Sequence, residues 1–183
     1  MVEITDFVAH APVPAQIIDE YRGRVPDDLV EVWETYGYGS FGDGLVRIID
    51  PKKYEAGVGD CIGKTQGDGI AIPVMVTGLG DLICWEPSVG YVAILFRLGT
   101  TVGLGSRLSG LVRRVGNGML IESLKAEIFP QAVATHGELP YDQSFIFVPL
   151  ISLGGAQKVE NLKKRETIAS IQVAVELQGV IGH

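Results

Sequence analysis

Apolar and polar positions in residues 13–54 follow three successive rhythms. Ile17, Ile18 and Tyr21 mark a short helix that begins near Pro14 and stops at Gly23. Pro26 then stands where a helix starts, with Asp27 and Asp28 in the first turn against the positive end of the helix dipole. Leu29, Val32, Trp33 and Tyr36 recur at i, i+3, i+4 and i+7, giving one apolar face that ends at Gly37. After a glycine-rich corner, Leu45 to Asp50 has strand composition, and Pro51 restarts the chain toward another helix. One Trp and two Tyr so close together predict a packing centre, since each ring buries roughly 150–250 Å².

Shorter runs follow. Gly69 to Thr77, Leu82 to Trp85 and Tyr91 to Leu98 are apolar or alternating, with turn residues at 78–81 and 87–90 between them. They predict an antiparallel sheet that continues through Thr101 to Val115. Gly118 to His136 is expected to be helical with a break near Pro130, Ser144 to Pro149 a strand, and Val159 to Leu177 a helix with Lys163, Lys164 and Arg165 facing outward. The fold class is therefore α+β: a central, mostly antiparallel sheet with helices packed at the N- and C-terminal ends of a single compact body. At 183 residues and 46% apolar composition, the chain can bury a core without disulfide staples.

The charge is uneven. Residues 1–86 hold 15 acidic and 6 basic side chains, and residues 87–183 hold 7 and 9, so the first half carries the whole acidic excess behind the net charge of −7. An acidic surface repels nucleic-acid backbones and anionic lipid and draws basic partners, although it also serves plain solubility. No run of about 18 apolar residues is present to span a bilayer. The first residues lack the basic-then-apolar order of a secretory signal, so a cytoplasmic protein with reduced thiols at Cys61 and Cys84 is expected.

Candidate chemistry is sparse. Gly57 to Thr65 imitates a phosphate loop, but the pattern G-x-x-x-x-G-K-[ST] needs glycine where Val58 stands, and no buried strand leads into it. His10, His136 and His183 lack metal-ligand spacing. Cys84 beside Trp85 reads as core, and His136 before Gly137 as a cation at a helix C-terminus. No catalytic residue, cofactor or metal is expected, and an enzyme is the least favoured reading.

Two stretches carry a resemblance. Residues 14–54, with a Pro-led helix holding Trp33 and Tyr36-Gly37, then a Gly-Leu strand ending in Asp50-Pro51-Lys52-Lys53-Tyr54, resemble the opening of GAD-like domain proteins. This stretch is also similar to the broader SUKH immunity superfamily, which implies an α+β fold around a central sheet. Residues 138–164 resemble the C-terminal domain of type VI secretion immunity proteins. The pattern falls on Phe145, Phe147, Val148, Pro149, Leu153, Gly154, Gly155, Asn161 and Leu162, with Phe145 where tyrosine is common and Ser152 where alanine is usual.

The resemblance implies a GAD-like region over 1–105 and an immunity C-terminal region over 106–183, sharing one core. It implies a cytoplasmic immunity protein that neutralises a cognate effector toxin, often a DNase, by stoichiometric occlusion, with no direct contact to nucleic acid or membrane. An intracellular scaffold or regulatory binding module of the same fold is the alternative, and an uncharacterised enzyme the second. Since a nuclease presents a cationic surface to DNA, acidic residues on loops and helix faces of the first half are the toxin-binding candidates: Asp27, Glu31, Glu34, Asp43, Asp60, Asp68 and Asp81. Each suits a turn or a solvated helix face equally well.

Overall fold

The computed structural model describes residues 1–63 and 69–181. Seven antiparallel strands pair strictly in chain order: β1 (Val8–Ala11), β2 (Tyr38–Phe41), β3 (Val46–Ile48), β4 (Ile72–Thr77), β5 (Leu82–Glu86), β6 (Gly90–Leu95) and β7 (Thr100–Gly105). Between β1 and β2 lie α1 (Ala15–Tyr21) and α2 (Asp27–Tyr36), and between β3 and β4 lies α3 (Pro51–Val58). After β7 come α4 (Leu108–Gly116), α5 (Met119–Ser123) and α6 (Ile128–His136). A separate antiparallel pair, β8 (Gln143–Phe147) and β9 (Leu162–Glu166), precedes α7 (Thr167–Gln178).

Local chemistry explains the helix starts. Pro51 opens α3 without needing an N–H partner, and the Asp50 carboxylate accepts from the N–H groups of Lys52 and Lys53 at 2.9 and 3.1 Å. Glu166 does the same for α7, accepting from Ile168 and Ala169. The helices cover the two faces of the large sheet. Ile83, Ala93 and Leu95 join the core under α1, α2, α4, α5 and α6, whereas Leu82, Cys84 and Ile94, their neighbours in sequence, join a second core under α3 and α7. Central strands buried on both faces read as continuous apolar runs, as β4 and β6 do.

Several boundaries differ from the pattern-based expectation. The sheet ends at Gly105, and 108–116 is helix α4. The helical break after Gly118 falls at 124–127, where Lys125 has φ 49°, and Pro130 sits in the first turn of α6. Residues 162–166 form strand β9, so only the second half of 159–177 is helix. Trp85 is half-buried, while Phe145 and Phe147 are in the core.

One arginine joins the C-terminal part to the large sheet. Arg47 on β3 is 2% exposed and donates to the carbonyls of Tyr141 (2.8 Å), Gln143 and Thr77 (2.9 Å) and to Ser144 Oγ (2.8 Å), with Pro140 O at 3.4 Å. Ser144 in turn bonds Thr167 Oγ1 at 2.8 Å at the start of α7. The Phe145 N–H donates to Gly78 O at 2.7 Å, tying β8 to the β4–β5 turn.

The turn at Leu153-Gly154-Gly155 needs both glycines for different reasons. Gly154 has φ 87°, and a Cβ on Gly155 would sit 2.0 Å from Pro149 O. Gly155→Ala is therefore expected to lower stability by about 2 kcal/mol or more, beyond the roughly 1 kcal/mol strain of Gly154→Ala. Equilibrium urea unfolding of the two variants checks the order, and a neutral Gly155→Ala would contradict the packing.

Candidate functional site

The six acidic candidates among the described residues do not form one cluster. Asp27, Glu31 and Glu34 line the exposed side of α2, because its apolar face (Leu29, Val30, Val32, Trp33) is turned into the core. Glu34 pairs with Arg22 at 2.8 Å and Glu31 lies 3.8 Å from the terminal amine of Met1, both in solvent, where such pairs contribute ~0–1 kcal/mol. Asp43 is exposed on the β2–β3 turn with φ 53°. Asp60 is exposed after α3, one of the two helices over the second core. Asp68 lies outside the described residues.

Asp81 is corrected by the structure. It is 0% exposed, and its Oδ2 lies 3.2 Å from Arg97 Nε and accepts from Thr77 Oγ1. Arg97 also donates to the carbonyls of Leu124 and Lys125, so the pair anchors the β4–β5 turn to the end of α5. A carboxylate so placed has no surface to offer a partner. Burial pushes the Asp81 carboxyl up to about 6, with Arg97 and Thr77 offsetting part of the shift.

Because its folded pKa lies above the unfolded one, Asp81 contributes stability that is present in full below about pH 4 and lost as pH rises through about 6. Asp81→Asn cannot ionise, so it is expected to gain on the parent by roughly 2–3 kcal/mol between pH 4 and 7. Denaturant titrations of both proteins across that range measure the gap. Parallel stability curves would contradict the assignment.

Two grooves meet at β1. The first, about 530 Å³, is lined by Asp6, Val8, His10, Asp43, Glu138 and Tyr141 among others. The second, about 480 Å³, runs from Ala9–Val13 to Glu34, Tyr36 and Gly37 at the end of α2. Asp6 shapes the rim of the first: its Oδ2 accepts from the N–H groups of Gly42 (2.6 Å) and Asp43 (3.1 Å). His10 stacks on Tyr141 with ring centroids 3.8 Å apart and planes 8° from parallel, and the Tyr141 hydroxyl donates to Ile48 O. Asp43 and Glu34 thus have company in Asp6, which was counted in the acidic half but not among the candidates, and in Glu138, which lies outside that half. Glu138 lies 91 or more residues from its groove neighbours in β1–β3, a juxtaposition without any local sequence signal.

The groups considered for chemistry lie apart from these grooves or are otherwise engaged. Cys84 is fully buried on β5 and Cys61 nearly so, and burial pushes both thiols up, away from the reactive thiolate. His136 ends α6, and its Nε2 donates to Val159 O at 2.7 Å. In the stretch resembling a phosphate loop, Gly57 is inside helix α3 while Lys64 and Thr65, like His183, fall outside the described residues. Among the described residues no three His, Cys, Asp or Glu side chains gather to hold a metal ion. Nor, among them, is any helix long and apolar enough to cross a membrane.

Comparison with known proteins finds matches to both parts of the chain. The crystal structure of Atu4351 from Agrobacterium tumefaciens superposes with a TM-score of 0.73 over 93% of this chain and 85% of that one, at 19% identity, so the two share a fold. No curated protein sequence matches. Residues 113–171 match the family model of the type VI secretion system (T6SS) immunity protein Tdi1, C-terminal. Residues 1–97, more than half of the chain, match the model of the GAD-like domain. By that match the chain belongs to the GAD-like domain family.

Proposed function

We propose that the chain is a cytoplasmic immunity protein that binds a type VI secretion effector, of the DNase kind, and neutralises it by stoichiometric occlusion of its active site or DNA groove. The observation that carries this reading is the match of residues 113–171 to a type VI immunity domain, following the GAD-like match in the same chain. The exposed acids support it physically. Asp27, Glu31 and Glu34 on α2, and Asp43 with Asp6 and Glu138 at the groove, present negative charge where a DNA-binding protein presents positive. Complementary charge accelerates encounter, which matters for a toxin that must be captured before it cuts.

The test uses the effector encoded beside this chain. Mixed with it, the purified protein is expected to form a stoichiometric complex by light scattering, to stop DNA cleavage, and to associate about tenfold or more slowly when salt rises from 50 to 500 mM. Charge reversal at Asp27, Glu31 and Glu34 together is expected to slow association while leaving the melting temperature within about 2 °C, since these are exposed positions. Absence of a complex would overturn the reading. A complex that leaves cleavage intact would favour a scaffold or regulatory module.

A further inference from the structure

The large sheet has two open edges, β1 and β7, and they differ in what surrounds them. Among the described residues no strand pairs with the outer side of either. Beside β1 lie the two grooves and the carboxylates Asp6, Glu34, Asp43 and Glu138. The chain leaving β7 instead carries the exposed cations Arg107 and Arg113. Sheet edges left open are commonly blunted by a cation, a proline or a bulge. β1 carries two of these, a bulge between Ala9 and Ala11 and Pro12 just after it, which confine a partner strand to the short length of backbone ahead of Pro12.

That length is held rigidly from the inside. Phe7 packs on Tyr36 with centroids 5.1 Å apart, and the Tyr36 hydroxyl accepts from the Ile4 N–H at 3.1 Å. At Gly39 of β2, a Cβ would strike Val8 O and the Phe7 ring, so the two strands lie close only because that residue is glycine. Val8, by contrast, turns 67% of its surface to solvent, and Ala9 and His10 are exposed beside it. Ordering β1 has been accomplished in the fold itself, which lowers the entropic cost of adding a strand.

From this we infer that the effector docks by adding an extended, basic segment to the outer edge of β1, with side chains entering the two grooves that flank Ala9 and His10. The inference rests on the effector-binding reading above and names the surface and the chemistry of the segment. Main-chain pairing over four residues supplies modest affinity, and the grooves and their carboxylates supply selection for Lys or Arg. A strand alternating basic and apolar residues fits best, because successive side chains leave a strand on opposite sides.

Two assays separate failure of this inference from failure of the function. The first measures binding of the neighbouring effector to the parent, to a V8K/E34K/E138K variant and to a control, Leu177→Lys, on the exposed side of α7. All four positions are exposed, and melting curves confirm that the variants fold. The triple variant is expected to bind at least 100-fold more weakly and the control within threefold of the parent. Unchanged binding by the triple variant overturns the edge site and leaves the function standing.

The second assay needs no effector, so it decides the inference even if the parent does not bind that protein. Ten-residue peptides alternating Lys-Val and Glu-Val are titrated onto the parent with hydrogen exchange followed at residues 8–11. Slowed exchange there with the Lys-Val peptide, and at least tenfold weaker binding of the Glu-Val peptide and of Lys-Val to the triple variant, supports the edge site. Equal binding of the two peptides, or no protection at 8–11, overturns it.

Discussion

Replacing Arg47 with methionine is expected to lower the unfolding free energy by about 4 kcal/mol or more, among the largest effects a single substitution produces. The guanidinium is 2% exposed, and its hydrogen bonds run to four backbone carbonyls and one hydroxyl. Hydrogen bonds from a charged donor are each worth about 1.5–3 kcal/mol, and their loss leaves buried carbonyls without partners. Among the described residues no carboxylate forms an ion pair with it, so oriented dipoles hold the cation at contact distance while the Asp142 carboxylate favours its charge from farther away. Burial pushes its pKa down to about 10, which leaves it protonated at neutral pH.

Arg47→Lys should recover little, because an ammonium has three donors and cannot reproduce the planar fork. Since β3 lies within the GAD-like match and most acceptors lie within the immunity-domain match, the loss should loosen residues 140–167 first. Urea unfolding followed with hydrogen exchange at β8 checks both statements. Stability of Arg47→Met within about 1 kcal/mol of the parent would contradict the role assigned to this side chain.

Trp33→Ala is expected to cost ~3–5 kcal/mol as a large-to-small core change. The indole is 1% exposed at the centre of α2 and meets the ring of Tyr21 edge-on, with centroids 6.2 Å apart and planes at 86°. The melting temperature should fall by roughly 6–20 °C for a chain of this size. Trp33→Phe should cost less than half as much, because among the described residues the indole Nε1 has no hydrogen-bond partner to lose and most of the ring packing is kept. An unchanged melting temperature for Trp33→Ala would refute the packing centre between α1 and α2.

These two residues mark how far the sequence could be read. Trp33 was legible because Leu29, Val32, Trp33 and Tyr36 repeat at helical spacing, a pattern internal to one element. β4, β5 and β6 were legible for the same reason, with apolar runs punctuated by turn residues. Arg47 was not, because its partners lie 30 to 97 residues away and nothing local separates a buried arginine from a surface one.

β2 was hidden by Gly39 and by the glycines that flank the strand. Tyr38-Gly39-Ser40-Phe41 reads as a corner, yet Gly39 is a strand residue whose missing side chain admits Phe7 and Val8. β1 has four residues with little alternation, and its existence depends on β2. Pro130 signals a break by composition but stands in a first turn, where no backbone donor is needed. β9 was absorbed into a helical pattern that holds only from Ile168 onward; Leu162 is in the core because it pairs with Phe147. Asp81 lies beside Gly80 as turn aspartates do, and its cation comes from Arg97, sixteen positions on. Of the site, the acidic side of α2 was legible, whereas the meeting of β1 with Glu138 and Tyr141 is a product of the tertiary fold.

Neutralisation of an effector by binding, as proposed for this chain, is read out by cell survival. Cells expressing the effector encoded beside this chain are plated with and without it, and with the effector's own catalytic residue removed as reference. The intact chain is expected to restore plating to the level of the inactive effector. Protection is expected to fail when Glu34, Glu138 and Val8 are changed to lysine in a protein that still folds. Killing that proceeds undiminished in the presence of abundant, folded chain would overturn the proposed function.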